Sequence, residues 1–180
     1  MRTGYWDKHH VRRLSVCAML LAAALMISYA ESLLPRFVPL PGIKPGFANI
    51  AVMAAFCISP GCAATVSAAR VLIFALLFGS PISFGMSAAG ALLSYICLFV
   101  IWLIKPRHLS WIGVSVLSAL CHVTGQLICA VFLTGSTSAL YYFPPLAVSG
   151  VICGALCGVL MNLVCHVIFE YATHTLHKNQ

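Results

Sequence analysis

The sequence predicts an all-α integral membrane protein, a bundle of six transmembrane helices, and three observations carry that expectation. Of the 180 residues, 62% are hydrophobic and only 7% charged, with a mean hydropathy of +1.02, too little polar surface to cover a water-soluble globule. Charge-free apolar runs such as 14–30 and 82–104 are long enough for helices that cross a hydrocarbon core of ~30 Å. These runs do not alternate polar and apolar residues, as the short strands of a membrane β-barrel would.

Breaks at proline, glycine and charge divide the chain into candidate helices at 14–34, 45–59, 62–78, 82–104, 109–133 and 146–171. The expected organisation is a basic cytoplasmic tail over 1–13, a membrane domain over 14–172 and a second cytoplasmic tail over 173–180. The first helix follows Arg12 and Arg13 and passes Ser28-Tyr29-Ala30, which has the form of a signal-peptidase site. Its apolar run is longer than a signal core and continues into Glu31, so the helix is expected to stay attached. The second is the shortest: 15 residues at ~1.5 Å each cover about 22 Å, which makes a re-entrant half-helix the alternative to a span.

Charge parity favours the span. Arg2, Lys8, Arg12 and Arg13 lie before the first helix, Lys105 and Arg107 after the fourth, and Lys178 with His174 and His177 after the sixth. Six crossings put all three basic regions on one side, cytoplasmic by the positive-inside rule, whereas five would turn Lys105 and Arg107 outward. The outer connections are then 35–44, 79–81 and 134–145, the last with aromatics suited to an interface belt or a lid. The net charge of +7 is thus placed by topology and forms no aromatic-studded patch, so nucleic acid is not an expected partner.

The connection after the first helix carries the densest chemistry. Residues 31–50 interrupt an almost uncharged chain with three charges, four prolines and two glycines; prolines fix the backbone and glycines let it turn tightly. Glu31, Lys44 and Asn49 bracket this stretch with groups able to hold a polar ligand, although an interfacial carboxylate or a salt bridge to Lys44 or Arg36 accounts equally for Glu31. Arg70 sits near the middle of the third helix, where burial costs roughly 3 kcal/mol or more unless it faces protein or water. That position points to a site, with a packing pair to Glu31 or a helix-end carbonyl as the alternative. On the fifth helix His122 and Gln126 are four residues apart and share a face, so both can line one cavity or bond a neighbouring helix.

Other features are structural. Gly150-x-x-x-Gly154-x-x-x-Gly158, continued at the same interval by Asn162 and His166, lets another helix approach closely and reads as helix packing; Ala18 and Ala22 give a weaker version of that surface. The nine cysteines contain no Cys-x-x-Cys pair and read as small buried apolar side chains in a reducing or lipid setting. No His or carboxylate completes a metal site around Cys121 and His122. Enzyme chemistry is poorly supplied: magnesium-assisted phosphoryl or prenyl transfer needs clustered carboxylates, and the acids are Asp7, Glu31 and Glu170. Neither a Walker loop nor Gly-x-Ser-x-Gly is present, and no cofactor is expected.

The segment from Glu31-x-x-x-Pro35 through Pro41-Gly42-Ile43-Lys44-Pro45-Gly46-Phe47-Ala48-Asn49-Ile50 resembles the signature of a bacterial membrane family labelled both "heptaprenyl diphosphate synthase component I" and "Gx transporter". Arg70, Phe78-Gly79-Ser80 and Ser118-Ala119-x-x-His122-x-x-Gly125-Gln126-Leu127 extend the match, while Pro45 and Val123 stand where Leu and Asn are expected. The synthase label implies an accessory, non-catalytic subunit of long-chain prenyl diphosphate synthesis. The transporter label implies a fold similar to the substrate-binding subunits of energy-coupling factor importers, in which a membrane scaffold and ATPases drive transport and an Ala-x-x-x-Ala surface docks the scaffold; Ala18 and Ala22 are the matching positions. Six short helices and a ligand loop after the first suit the second label. The expectation is therefore a protein of the bacterial inner membrane, both termini cytoplasmic, that binds and imports a small polar solute through Glu31, Lys44, Asn49, Arg70, His122 and Gln126, with the synthase component as the alternative.

Overall fold

The computed structural model describes residues 8–33, 46–78, 80–104 and 109–177. Among these described residues six α-helices follow one another: α1 (Lys8–Leu33), α2 (Asn49–Ile58), α3 (Pro60–Phe78), α4 (Pro81–Ile104), α5 (Trp111–Thr134) and α6 (Phe143–His177), with a 3-10 turn at Thr137–Tyr142 before the last. Five stretches, Arg13–Leu33, Pro60–Phe78, Pro81–Ile104, Trp111–Thr134 and Thr137–Leu163, are each long and apolar enough to cross a membrane. Leu76 and Phe132 are 85% and 84% exposed, a disposition that suits lipid and not water. The chain is a multi-pass membrane protein built as a helical bundle.

Serine and proline set the helix starts. Ser59 accepts the Cys62 N–H at 3.1 Å and Ser80 accepts the Ser83 N–H at 3.2 Å, each capping a helix whose first residue is proline, where a missing N–H costs nothing. Ser110 caps α5 in the same way through Gly113 N–H at 3.2 Å. Gly135, left-handed at φ 62°, ends α5 as glycine readily does. Pro60 also explains why α2 stops at Ile58, since the residue before a proline is driven out of the helical region and Ser59 is extended.

Several boundaries differ from expectation: the first helix begins at Lys8 and not at 14, inside the stretch expected as a tail, and the sixth runs on to His177 and not to 171. The second helix is 10 residues long, about 15 Å, and its expected first turn gives way to Gly46 at φ 90°. The sixth begins at Phe143, three residues early, because Pro144 and Pro145 fall in its first turn, where proline is tolerated.

The direction of each helix follows from its contacts. Cys17 and Cys62 are joined by a disulfide, and the Tyr29 and Phe78 rings pack at a tilt with centroids 5.1 Å apart, so α1 and α3 run parallel and the chain reverses through α2. Tyr95 of α4 bonds the Pro60 carbonyl at 3.2 Å, Gly90 packs on His122 and Gln126, and Gly158 packs on Ile112; α4, α5 and α6 therefore alternate. The start of α1 and the later part of α6 consequently lie at the same end of the bundle. The disulfide corrects the reading of all nine cysteines as reduced. Residues 45 apart in sequence come together only because α1 and α3 are parallel neighbours, which spacing along the chain does not disclose.

One apolar core surrounds α2, with Ala51, Val52, Met53 and Ala55 against Ala24, Ala63, Val66, Leu98 and Met161. A second joins Met86, Val123, Leu127, Ala130, Ala139 and Leu146 at the far end of α5. The polar groups described next lie where the end of α1, α2 and α3 meet α4 and α5.

Candidate functional site

Four helices bring polar side chains into the apolar interior. Ser28 and Glu31 come from the last two turns of α1, Arg70 from the middle of α3, Ser83 and Ser87 from the first turns of α4, and His122 and Gln126 from α5; with Gly46 they line a cavity of about 30 Å³. Glu31, Arg70, His122 and Gln126 are all buried, none more than 6% exposed. Ions so placed require partners, and the Glu31 carboxylate accepts the Phe47 backbone N–H and interacts electrostatically with Arg70.

His122 and Gln126 form a pair. Gln126 Nε2 and His122 Nε2 lie 3.0 Å apart, the i, i+4 contact that a helix face provides. Gly90 makes room for it: a Cβ there would sit 2.9 Å from Gln126 Cγ and from His122 Cε1. Across the same crossing a Cβ on Gly125 would lie 2.5 Å from the Ala89 carbonyl oxygen. Beyond their mutual bond, His122 Nδ1 and Gln126 Oε1 are buried with no hydrogen-bond partner among the described residues. Buried polar atoms are nearly always bonded, so these two mark where the pair is left short of a partner beside the cavity.

Asn49 is placed elsewhere. Its amide donates to Ser118 Oγ at 2.5 Å, its carbonyl oxygen accepts from Ser94 Oγ at 3.1 Å, and the two hydroxyls are 2.7 Å apart. This closed triangle pins the start of α2 to α4 and α5, and Asn49 does not line the cavity. Lys44 lies outside the described residues. Ala18 and Ala22 are exposed on α1. Gly150, Gly154 and Gly158 are buried against α5, where added Cβ atoms would meet Val123 Cγ2 at 3.2 Å, Val116 Cα at 2.8 Å and Ile112 Cα at 2.5 Å. Among the described residues no cluster of three His, Cys, Asp or Glu side chains is arranged for a metal ion.

Sequence reasoning missed Gly90, Ser94 and the cavity serines Ser28, Ser83 and Ser87. The signal for two of them is the spacing Gly90-x-x-x-Ser94, a small-residue pair of the kind that lets membrane helices meet closely. Isolated serines in apolar helices carry no such mark, because they satisfy themselves on their own backbone as readily as they face a cavity.

A family model described as heptaprenyl diphosphate synthase component I matches residues 20–164, more than half of the chain and every helix that contributes to the cavity. No curated protein and no solved structure matches it.

Proposed function

This chain belongs to the heptaprenyl diphosphate synthase component I family, and we propose that it is the non-catalytic, membrane-embedded component of a prenyl diphosphate synthase system. The family match carries this reading. The composition supports it: prenyl transfer needs several carboxylates to hold magnesium, and the sequence has three acids in all, Asp7, Glu31 and Glu170, of which Glu31 is committed to Phe47 and Arg70. The chemistry then belongs to a separate, Asp-rich soluble subunit, and this chain ties that subunit to the bilayer in which a long apolar product collects. Six crossings would put the basic regions of the sequence, before the first helix, after the fourth and after the sixth, on one side, and this supports placement in a bacterial inner membrane with both termini cytoplasmic. The test is reconstitution: the soluble subunit should copurify with this chain, and adding the chain in lipid should change the rate or chain length of prenyl diphosphate synthesis. Absence of both effects overturns the proposal.

A second reading, import of a small polar solute with a scaffold and ATPases as partners, draws on the polar cavity, a feature that an anchoring subunit does not require. The exposed Ala18 and Ala22 offer a surface of small residues for such a scaffold. Ala22→Phe should then abolish copurification with scaffold and ATPases while leaving the bundle folded.

A further inference from the structure

The cavity lined by Arg70, Glu31, His122 and Gln126 has a definite charge balance. Among the described residues its two ionic side chains are one cation and one anion, buried in the same space. A ligand with a net charge would leave one unit uncompensated at membrane depth, which costs several kcal/mol. Diphosphates fail this condition.

The hydrogen-bonding balance is equally definite. If the Gln126 amide donates to His122 Nε2, the imidazole carries its proton on Nδ1, leaving an N–H donor there and an acceptor at Gln126 Oε1. If the amide is turned the other way, His122 Nε2 donates, and the leftover groups are an N–H donor on Gln126 and a lone pair on His122 Nδ1. Either arrangement leaves one donor and one acceptor unmet, both on side chains more than nine-tenths buried. The hydroxyls of Ser83 and Ser87 add groups that serve in either sense. A volume of about 30 Å³ exceeds the ~10–15 Å³ that a single water needs on the same measure, so a small polar group fits, and Phe84 lines the cavity at the first turn of α4.

We propose that this cavity is a binding site for a small polar solute of zero net charge, or for the uncharged polar end of a larger one, which donates and accepts hydrogen bonds at once, as a primary amide does. The inference does not rest on the synthase reading, because its test reads binding alone; it supplies the second reading with a ligand class.

Three isosteres separate the possibilities: acetamide is neutral, acetate an anion and acetamidinium a cation, all of nearly one shape. Binding of each to the full chain in lipid nanodiscs can be followed by saturation-transfer NMR with titration. The expected result is saturable binding of acetamide at least tenfold tighter than either charged isostere, reduced at least tenfold in Gln126→Met. Ser87→Ala, a milder change at a half-buried position, should weaken binding while the protein stays monodisperse, which guards against misfolding of the first variant. No saturable binding of acetamide, equal or tighter binding of acetate or acetamidinium, or acetamide binding unchanged in both variants overturns the assignment.

Discussion

Asn49 ties three helices together with one carboxamide. Removing it strips two hydrogen bonds from buried hydroxyls that remain in contact only with each other, so Asn49→Ala should destabilise the bundle by about 1–3 kcal/mol, measured by equilibrium unfolding in mixed micelles. A change below a few tenths would mean that the Ser94–Ser118 pair suffices. Arg70 and Glu31 should behave as a coupled unit: Arg70→Met and Glu31→Gln in a double-mutant cycle should show an interaction energy of about 1–3 kcal/mol. Strict additivity would place their charges too far apart to matter. Cysteine chemistry gives a count: unfolded without reductant, the chain should take up alkylating reagent at seven thiols, since Cys17 and Cys62 are joined and the other seven are free; after reduction it should take up nine. At this scale the sequence disclosed the residues that are chemically out of place in a membrane. Arg70, Glu31, His122 and Gln126 stand out because each is costly in lipid, and all four line one cavity. Asn49 stands out for the same reason but spends its bonds on packing, a distinction that depends on where Ser94 and Ser118 lie in space.

Close helix crossings test the elements. At Gly125 and Gly158 an added methyl group meets backbone atoms at 2.5 Å, which no rotamer change relieves. Gly125→Ala and Gly158→Ala should each cost about 1–3 kcal/mol as the helices are forced apart, whereas at Gly61, where a Cβ meets nothing within 4 Å, alanine should be neutral or slightly stabilising. Loss of stability at all three alike would deny the crossings their role. The helices were legible in sequence because lipid demands long apolar runs and proline, glycine and charge end them. The exceptions have physical causes. Gly46 at positive φ delays α2, and prolines in the first turn of α6 read as a loop although their lost N–H groups have no helical partner to lose. The disulfide stayed hidden because it records which helices are parallel neighbours, and that is a property of the assembled bundle.

At the scale of the whole molecule the strict alternation of the helices yields a topological prediction. Cysteines introduced at positions 107 and 38 in an otherwise cysteine-free chain should label from opposite faces of the membrane, 107 from the cytoplasm and 38 from outside. Labelling of both from one face would mean that the 10 residues of α2 do not carry the chain across.

The contact pattern also gives the bundle a line of division. Among the described residues helix α1 packs chiefly on α2 and α3, helix α5 is embraced by α4 and α6, and the two groups meet mainly through α2 and α3. The covalent Cys17–Cys62 tie lies wholly within the first group, whereas the Asn49 triangle and the cavity draw on both. Mechanically, the chain is two three-helix blocks fastened by polar pins and threaded together at a single short joint between α3 and α4. Cutting that joint should therefore leave a self-assembling pair: residues 1–79 and 80–180, coexpressed as separate polypeptides, are expected to copurify as one complex, and Asn49→Ala is expected to loosen that complex more than it loosens the uncut protein.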